Sequence, residues 1–164
     1  MKREYISFAA IILLLFTLSL HGGQLTIDRI SSPIKLDGIS NDAAWQSITP
    51  LPLIQQEPTY NAKPTERTEI LIAYDDTYLY VAARCYDREP DKMQSPSKKR
   101  DELSLTNDFF GFILDTFNDK ENALAFFTTP AGLRLDMTVY DDAVGNFPIN
   151  ETWNTFWDVA TEKN

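Results

Sequence analysis

Residues 133–140 alternate without a break. Leu133, Leu135, Met137 and Val139 fall on one side of an extended chain, and Arg134, Asp136, Thr138 and Tyr140 fall on the other. A repeat of two is the repeat of a β-strand, and this division predicts an antiparallel strand with one face in a core and the other in water. Nothing of comparable regularity occurs at the helical repeat. Prolines at 50, 52, 58 and 64 exclude a regular helix across that stretch. The elements of this chain are therefore expected to be short strands joined by turns.

The rest of the chain can be read in the same way. Residues 25–30 and 34–38 are short β-prone runs, and residues 41–45 form one helical turn with Asn41 or Asp42 as its cap. Two apolar runs, 69–74 and 78–86, flank Asp75-Asp76-Thr77 and predict a hairpin. In its second strand Leu79, Val81, Ala83 and Cys85 share a face that we assign to the core, which makes Cys85 a buried, inert thiol. Residues 109–117 are apolar on both faces, as in a central strand, and Asn118-Asp119-Lys120 turns them into 122–129. Pro130-Ala131-Gly132 makes the next turn. The basic run Lys98-Lys99-Arg100 lies in a polar stretch and is assigned to a solvated loop. A loop over 141–150 precedes a final strand over 153–161. The fold class expected is all-β, an antiparallel β-sandwich of immunoglobulin or jelly-roll type. Its last strands are expected to be missing, because the sequence ends three residues after Thr161, when that strand has only begun its excursion.

The N-terminus reads as a signal peptide over residues 1–23. Lys2 and Arg3 precede an apolar stretch from 5 to 20, too short for a comfortable membrane span. Gly22 or Gly23 would precede the cut, and an uncleaved anchor is the alternative. Residues 24–164 form the working domain, and its expected location is the periplasm, the cell envelope or the extracellular space.

Composition narrows the chemistry. The one histidine, His21, lies in the signal, so triad catalysis and His-ligated metal sites are excluded. A single cysteine provides neither an internal disulfide nor a thiolate cluster. The net charge of −9 argues against nucleic acid as a partner. Carboxylates such as Asp75, Asp76, Asp101, Glu102 and Asp108 are numerous, but most sit at turns, where Asp hydrogen-bonds the backbone, so a glycosidase pair is not the expectation. Calcium is a weak reading, since no Asp-x-Asp-x-Asp-Gly loop is present. Sugars offer apolar C–H faces ringed by hydroxyls, and their sites pair an aromatic platform with fixed polar groups. Arg134, Asp136 and Tyr140 on the polar face of one strand, with Trp153 in or beside the loop that follows, supply such a set. Trp45 and Trp157 are assigned to the core.

Several segments carry a resemblance. Leu36-Asp37-Gly38 followed by Asp42-Ala43-Ala44-Trp45 resembles the opening motif of family 9 carbohydrate-binding modules. Tyr78-Leu79-Tyr80-Val81-Ala82 with Asp87 is similar to that family's central hairpin, and the run from Asn107 to Asp115 is similar to its acidic strand. The family implies a β-sandwich that binds sugars between aromatic rings without catalysis, and its arginine matches Arg134. Leu105 and Gly111 stand where sugar-binding members carry Trp and Glu. The pairs Asp108-Phe109-Phe110-Gly111 and Trp157-Asp158-Val159-Ala160-Thr161 resemble a subgroup that precedes an outer-membrane β-barrel of unknown function. The resemblance thus implies an exported, non-catalytic module for poly- or oligosaccharides, linked to carbohydrate catabolism through a parent protein. The alternative is a docking domain of an outer-membrane barrel protein without a sugar site.

Overall fold

The computed structural model describes residues 25–104, 106–146 and 148–163. The expected signal peptide and Leu105 lie outside them. Among these residues seven strands form two sheets: β1 (Asp28–Arg29), β2 (Thr68–Tyr74) and β3 (Leu79–Cys85) in one, and β4 (Phe110–Leu114), β5 (Ala123–Thr128), β6 (Arg134–Val139) and β7 (Ile149–Asn150) in the other, each in that spatial order. Three 3-10 turns, at Ala43–Ser47, Pro90–Lys92 and Asp141–Ala143, are the helical elements among the described residues. The fold is all-β. No helix among the described residues is long and apolar enough to cross a membrane. All strand pairs are antiparallel except β1 with β2, which run parallel, so the first sheet departs from the purely antiparallel expectation.

The β2–β3 hairpin forms where the turn chemistry places it. Asp75 Oδ1 accepts the backbone N–H groups of Thr77 (2.7 Å) and Tyr78 (2.8 Å), and Asp75 Oδ2 accepts the Tyr80 hydroxyl at 2.8 Å. These bonds to its charged form hold the Asp75 carboxyl below its ordinary value. The face of the hairpin that is buried differs from the expectation. Leu71 and Ala73 pair with Ala82 and Tyr80, and these pack with Ile30, Ala44, Trp45 and Ile48 in one apolar cluster. Leu79, Ala83 and Cys85 are therefore on the outer face, and Cys85 is exposed rather than a core thiol. Both faces of β3 carry apolar residues, so its own pattern does not choose between them. The choice is made by the 3-10 turn bearing Trp45, which covers the Tyr80 and Ala82 side.

In the second sheet β6 buries Leu135 and Met137 with Leu133 and with Ala125 of β5, as its alternation predicts. Deep burial of Leu133 and Leu135 contributes about 2 kcal/mol each. β4 is an edge strand, not a central one, and its Ile113 is 62% exposed although it lies on the same face as Ala125 and Met137. Its apolar double face has another origin. Phe112 stacks on Phe126 of β5 with ring centroids 5.1 Å apart, so the face opposite the Leu135 cluster is aromatic.

Candidate functional site

That second face of the β4–β7 sheet carries all the side chains singled out on β6. Strand register places Phe112, Phe126 and Asp136 in one row across it, with Arg134 on one side of Asp136 and Thr138 and Tyr140 on the other. The two ends of the face have different fates.

At the Arg134 end, residues 153–161 lie over it. No strand forms here, although the burial still alternates: Trp153, Thr155, Trp157 and Val159 are turned inward while Phe156 is fully exposed. The ring of Trp157 meets that of Phe126 edge-on at 5.5 Å and Trp153 does so at 6.3 Å. With these two indoles between it and the sheet, the segment reaches β6 through side chains. Asp136 Oδ2 accepts the Thr155 N–H at 2.7 Å. Two residues further on, the Trp157 carbonyl accepts a hydrogen bond from Arg134 Nη1 at 2.8 Å, and the same nitrogen lies 2.9 Å from the Asp158 carboxylate. Two residues forward on the segment correspond to two residues back on β6, as for antiparallel neighbours.

Asp136 is the surprise of the site. Its side chain was assigned to a wet face, yet it is completely buried. A lone buried carboxylate is costly, and the cost is met by an ion pair and hydrogen bond from Arg100 Nη2. Arg100 Nε also donates to Asn154 Oδ1 at 2.8 Å. The Arg100 side chain is thus drawn out of the solvated loop to which Lys98-Lys99-Arg100 was assigned. The Asp101 N–H bonds the Arg134 carbonyl at 3.0 Å, which fixes that loop against the start of β6. Trp153 is half-buried, and so is Trp157, which was expected in the core. Of the four residues expected to contact sugar, Arg134, Asp136 and Trp153 come together: Arg134 and Asp136 hold the chain's own C-terminal segment, and Trp153 belongs to that segment and packs edge-on against Phe126.

The Tyr140 end is open. Tyr140 is 41% exposed, and its hydroxyl accepts a hydrogen bond from Thr138 Oγ1 at 2.9 Å. A cleft of about 140 Å³ lies beside it, lined by Thr116, Phe117 and Asn122 of the β4–β5 turn, Ala123 and Leu124 of β5, and Thr138, Val139 and Tyr140. Phe117, missed by the sequence reading, is 78% exposed at its rim. Its signal was available, since a phenylalanine beside Asn118-Asp119-Lys120 has no core to enter. The turn that carries it is rigidly built. Asp115 accepts the N–H groups of Asp119 (3.2 Å) and Lys120 (2.9 Å), while Asp119 accepts those of Glu121 (2.9 Å) and Asn122 (2.8 Å). These carboxylates serve the backbone, and among the described residues no three acidic, cysteine or histidine side chains gather to hold a metal ion.

No family model matches the chain, and comparison with curated proteins and with solved structures likewise finds no match.

Proposed function

We propose that this domain is an exported, non-catalytic carbohydrate-binding module acting on poly- or oligosaccharides. The observation that carries this reading is Tyr140, an exposed aromatic ring whose hydroxyl is fixed by Thr138 at the uncovered end of a polar strand face. Such a group offers stacking area and a directed polar contact together, the combination a sugar ring requires. The motif resemblance described above supports the same reading. The test is calorimetric titration of the chain with a broad panel of soluble glycans, followed in parallel by tryptophan fluorescence. Absence of heat and of spectral change across the panel refutes the proposal.

A second reading is favoured by Arg134 and Asp136, which both bond residues 155–158 of the same chain. A sandwich domain that docks beside an outer-membrane barrel needs no sugar site, and in it these side chains act as internal fasteners. Arg134→Ala separates the two readings. Glycan binding that survives Arg134→Ala and is lost in Tyr140→Ala supports the sugar module. A lowered midpoint in a chain that binds no glycan supports the docking domain.

A further inference from the structure

We propose that the outer edge of β4 accepts an extended segment of another protein as an added strand, and that this segment is apolar with a lysine or arginine at each end. The surface is distinct from Tyr140 and does not depend on sugar binding. Four strands lie at sheet edges, β1 and β3 in the first sheet and β4 and β7 in the second. An edge presents unpaired N–H and C=O groups, and proteins guard it by shortness, by proline, by a bulge or by a charge turned inward. β1 and β7 are two residues long. β3 carries Arg84, which turns inward to Glu69 and Ser40. β4 has none of these devices. Phe110–Leu114 holds no charge and no proline, and its register with β5 runs unbroken from Phe110 opposite Thr128 to Leu114 opposite Leu124. Among the described residues, β4 pairs with no element other than β5.

The surface beside this edge has a shape that selects. Gly111, Phe127 and Leu135 form one row across the sheet, and a Cβ on Gly111 would meet the Phe127 ring. That ring lies across Gly111, so β4 raises no side chain there, while Phe109 and Ile113 on either side are 46% and 62% exposed. The result is a notch backed by the Phe127 ring and flanked by two apolar side chains. In an added strand, the residue opposite Gly111 stands on this same face, and a leucine or isoleucine there fills the notch. Main-chain bonds supply the affinity and the notch supplies the specificity.

Charge identifies the partner. Asp108 precedes the strand and Asp115 follows it, and both are exposed. Their carboxylates accept backbone N–H groups, of Gln94 for Asp108 and of Asp119 and Lys120 for Asp115, which fixes them in place. The turn beyond Asp115 adds Asp119 and Glu121 against Lys120. Acids at both ends suit a segment with basic flanks in either direction. A second copy of this chain is a poor match. It brings one net charge of −9 to another, and antiparallel pairing of β4 with itself sets Asp108 of one copy near Asp115 of the other.

The test uses the full chain and a labelled peptide, KKVTLTVKK, followed by fluorescence anisotropy. Its charge-reversed form is EEVTLTVEE, and two further forms carry N-methyl groups on alternate residues in opposite phases. The lysine peptide binds at least about tenfold tighter than the glutamate peptide. One N-methyl phase abolishes binding and the other leaves it, because an added strand turns only alternate N–H groups to its neighbour. Ile113→Lys places a charge on the edge and abolishes binding, and at so exposed a position it changes the thermal midpoint little. Ile113→Thr weakens binding without adding charge. Equal loss in both N-methyl phases, or in neither, overturns strand addition. Equal affinity for the two charge forms overturns the choice of partner, and binding by neither overturns the site. Concentration-dependent dimerisation that Ile113→Lys abolishes gives the edge to a second copy and overturns the proposal as well. None of these results bears on glycan binding, which stands or falls separately.

Discussion

Replacing Asp136 by alanine is the sharpest test of how the second sheet is held. The carboxylate is fully buried, it is paired with Arg100, and it accepts the Thr155 N–H. Removing one member of a buried ion pair costs about 3–5 kcal/mol, chiefly because the other charge is left without compensation. Arg100 keeps 31% of its side chain exposed, so water recovers part of that, and about 2–3 kcal/mol remains. The orphaned Thr155 N–H adds about 1 kcal/mol. The expected loss is therefore about 3–4 kcal/mol, a large share of the stability of an ordinary domain, with a fall in thermal midpoint of about 10–15 °C. Urea unfolding followed by circular dichroism measures it, provided the slope of the transition is unchanged. The double variant Arg100→Met/Asp136→Leu removes both charges and should recover most of the loss. A cost below about 1 kcal/mol for Asp136→Ala, or a double variant as unstable as the single ones combined, refutes the reasoning.

Gly38 has φ +85°, and a Cβ there would lie 2.6 Å from the Thr161 carbonyl carbon and 2.7 Å from the Glu162 nitrogen. Gly38→Ala should cost at least about 2 kcal/mol in urea unfolding, whereas Gly145→Ala, at φ +96° with nothing within 4 Å, should cost only about 1 kcal/mol of backbone strain. Asp75 has a folded-state pKa lowered from 3.8 by the bonds it accepts. The stability it supplies is therefore complete above the unfolded carboxylate pKa and is lost as pH falls through the lowered folded value. Wild-type and Asp75→Asn stabilities should differ at neutral pH and converge only as pH falls below the unfolded carboxylate value of about 3.9 and through the lowered folded one. Cys85 is exposed, while desolvation by the surrounding protein raises its thiol pKa. Ellman's reagent should modify it in the native protein without denaturant, slowly at pH 7 and faster as the solution becomes alkaline.

What could be read from the sequence was what is locally encoded. The β2–β3 hairpin followed from Asp75-Asp76-Thr77 between two β-branched and aromatic runs, and the buried side of β6 followed from its strict alternation. Both are settled by neighbours in sequence. Where a residue's environment is set by a distant segment, the local pattern gave the wrong answer or none. Arg100 sits in a polar run and gives no sign of the partner 36 residues away. Asp136 alternates with apolar residues as a solvent-facing residue would, because the segment that covers it arrives only at 153–161. The outer position of Cys85 depends on which face of β3 the Trp45 turn covers. The same applies to the site: the chemistry of Arg134, Asp136, Tyr140 and Trp153 was visible, but not that Arg134 and Asp136 would serve the chain's own backbone.

The C-terminal segment also has a kinetic character of its own. Among the described residues, Thr155 is the one position between 153 and 163 whose backbone N–H donates a hydrogen bond, and its acceptor is a side chain rather than a neighbouring strand. A strand in a ladder opens only with its partner, but this segment can lift residue by residue while β4, β5 and β6 remain paired. Amide hydrogen exchange should therefore be fast along the segment with a solitary slow proton at Thr155. That proton's lifetime reports the Asp136 contact directly, in a native protein that never unfolds.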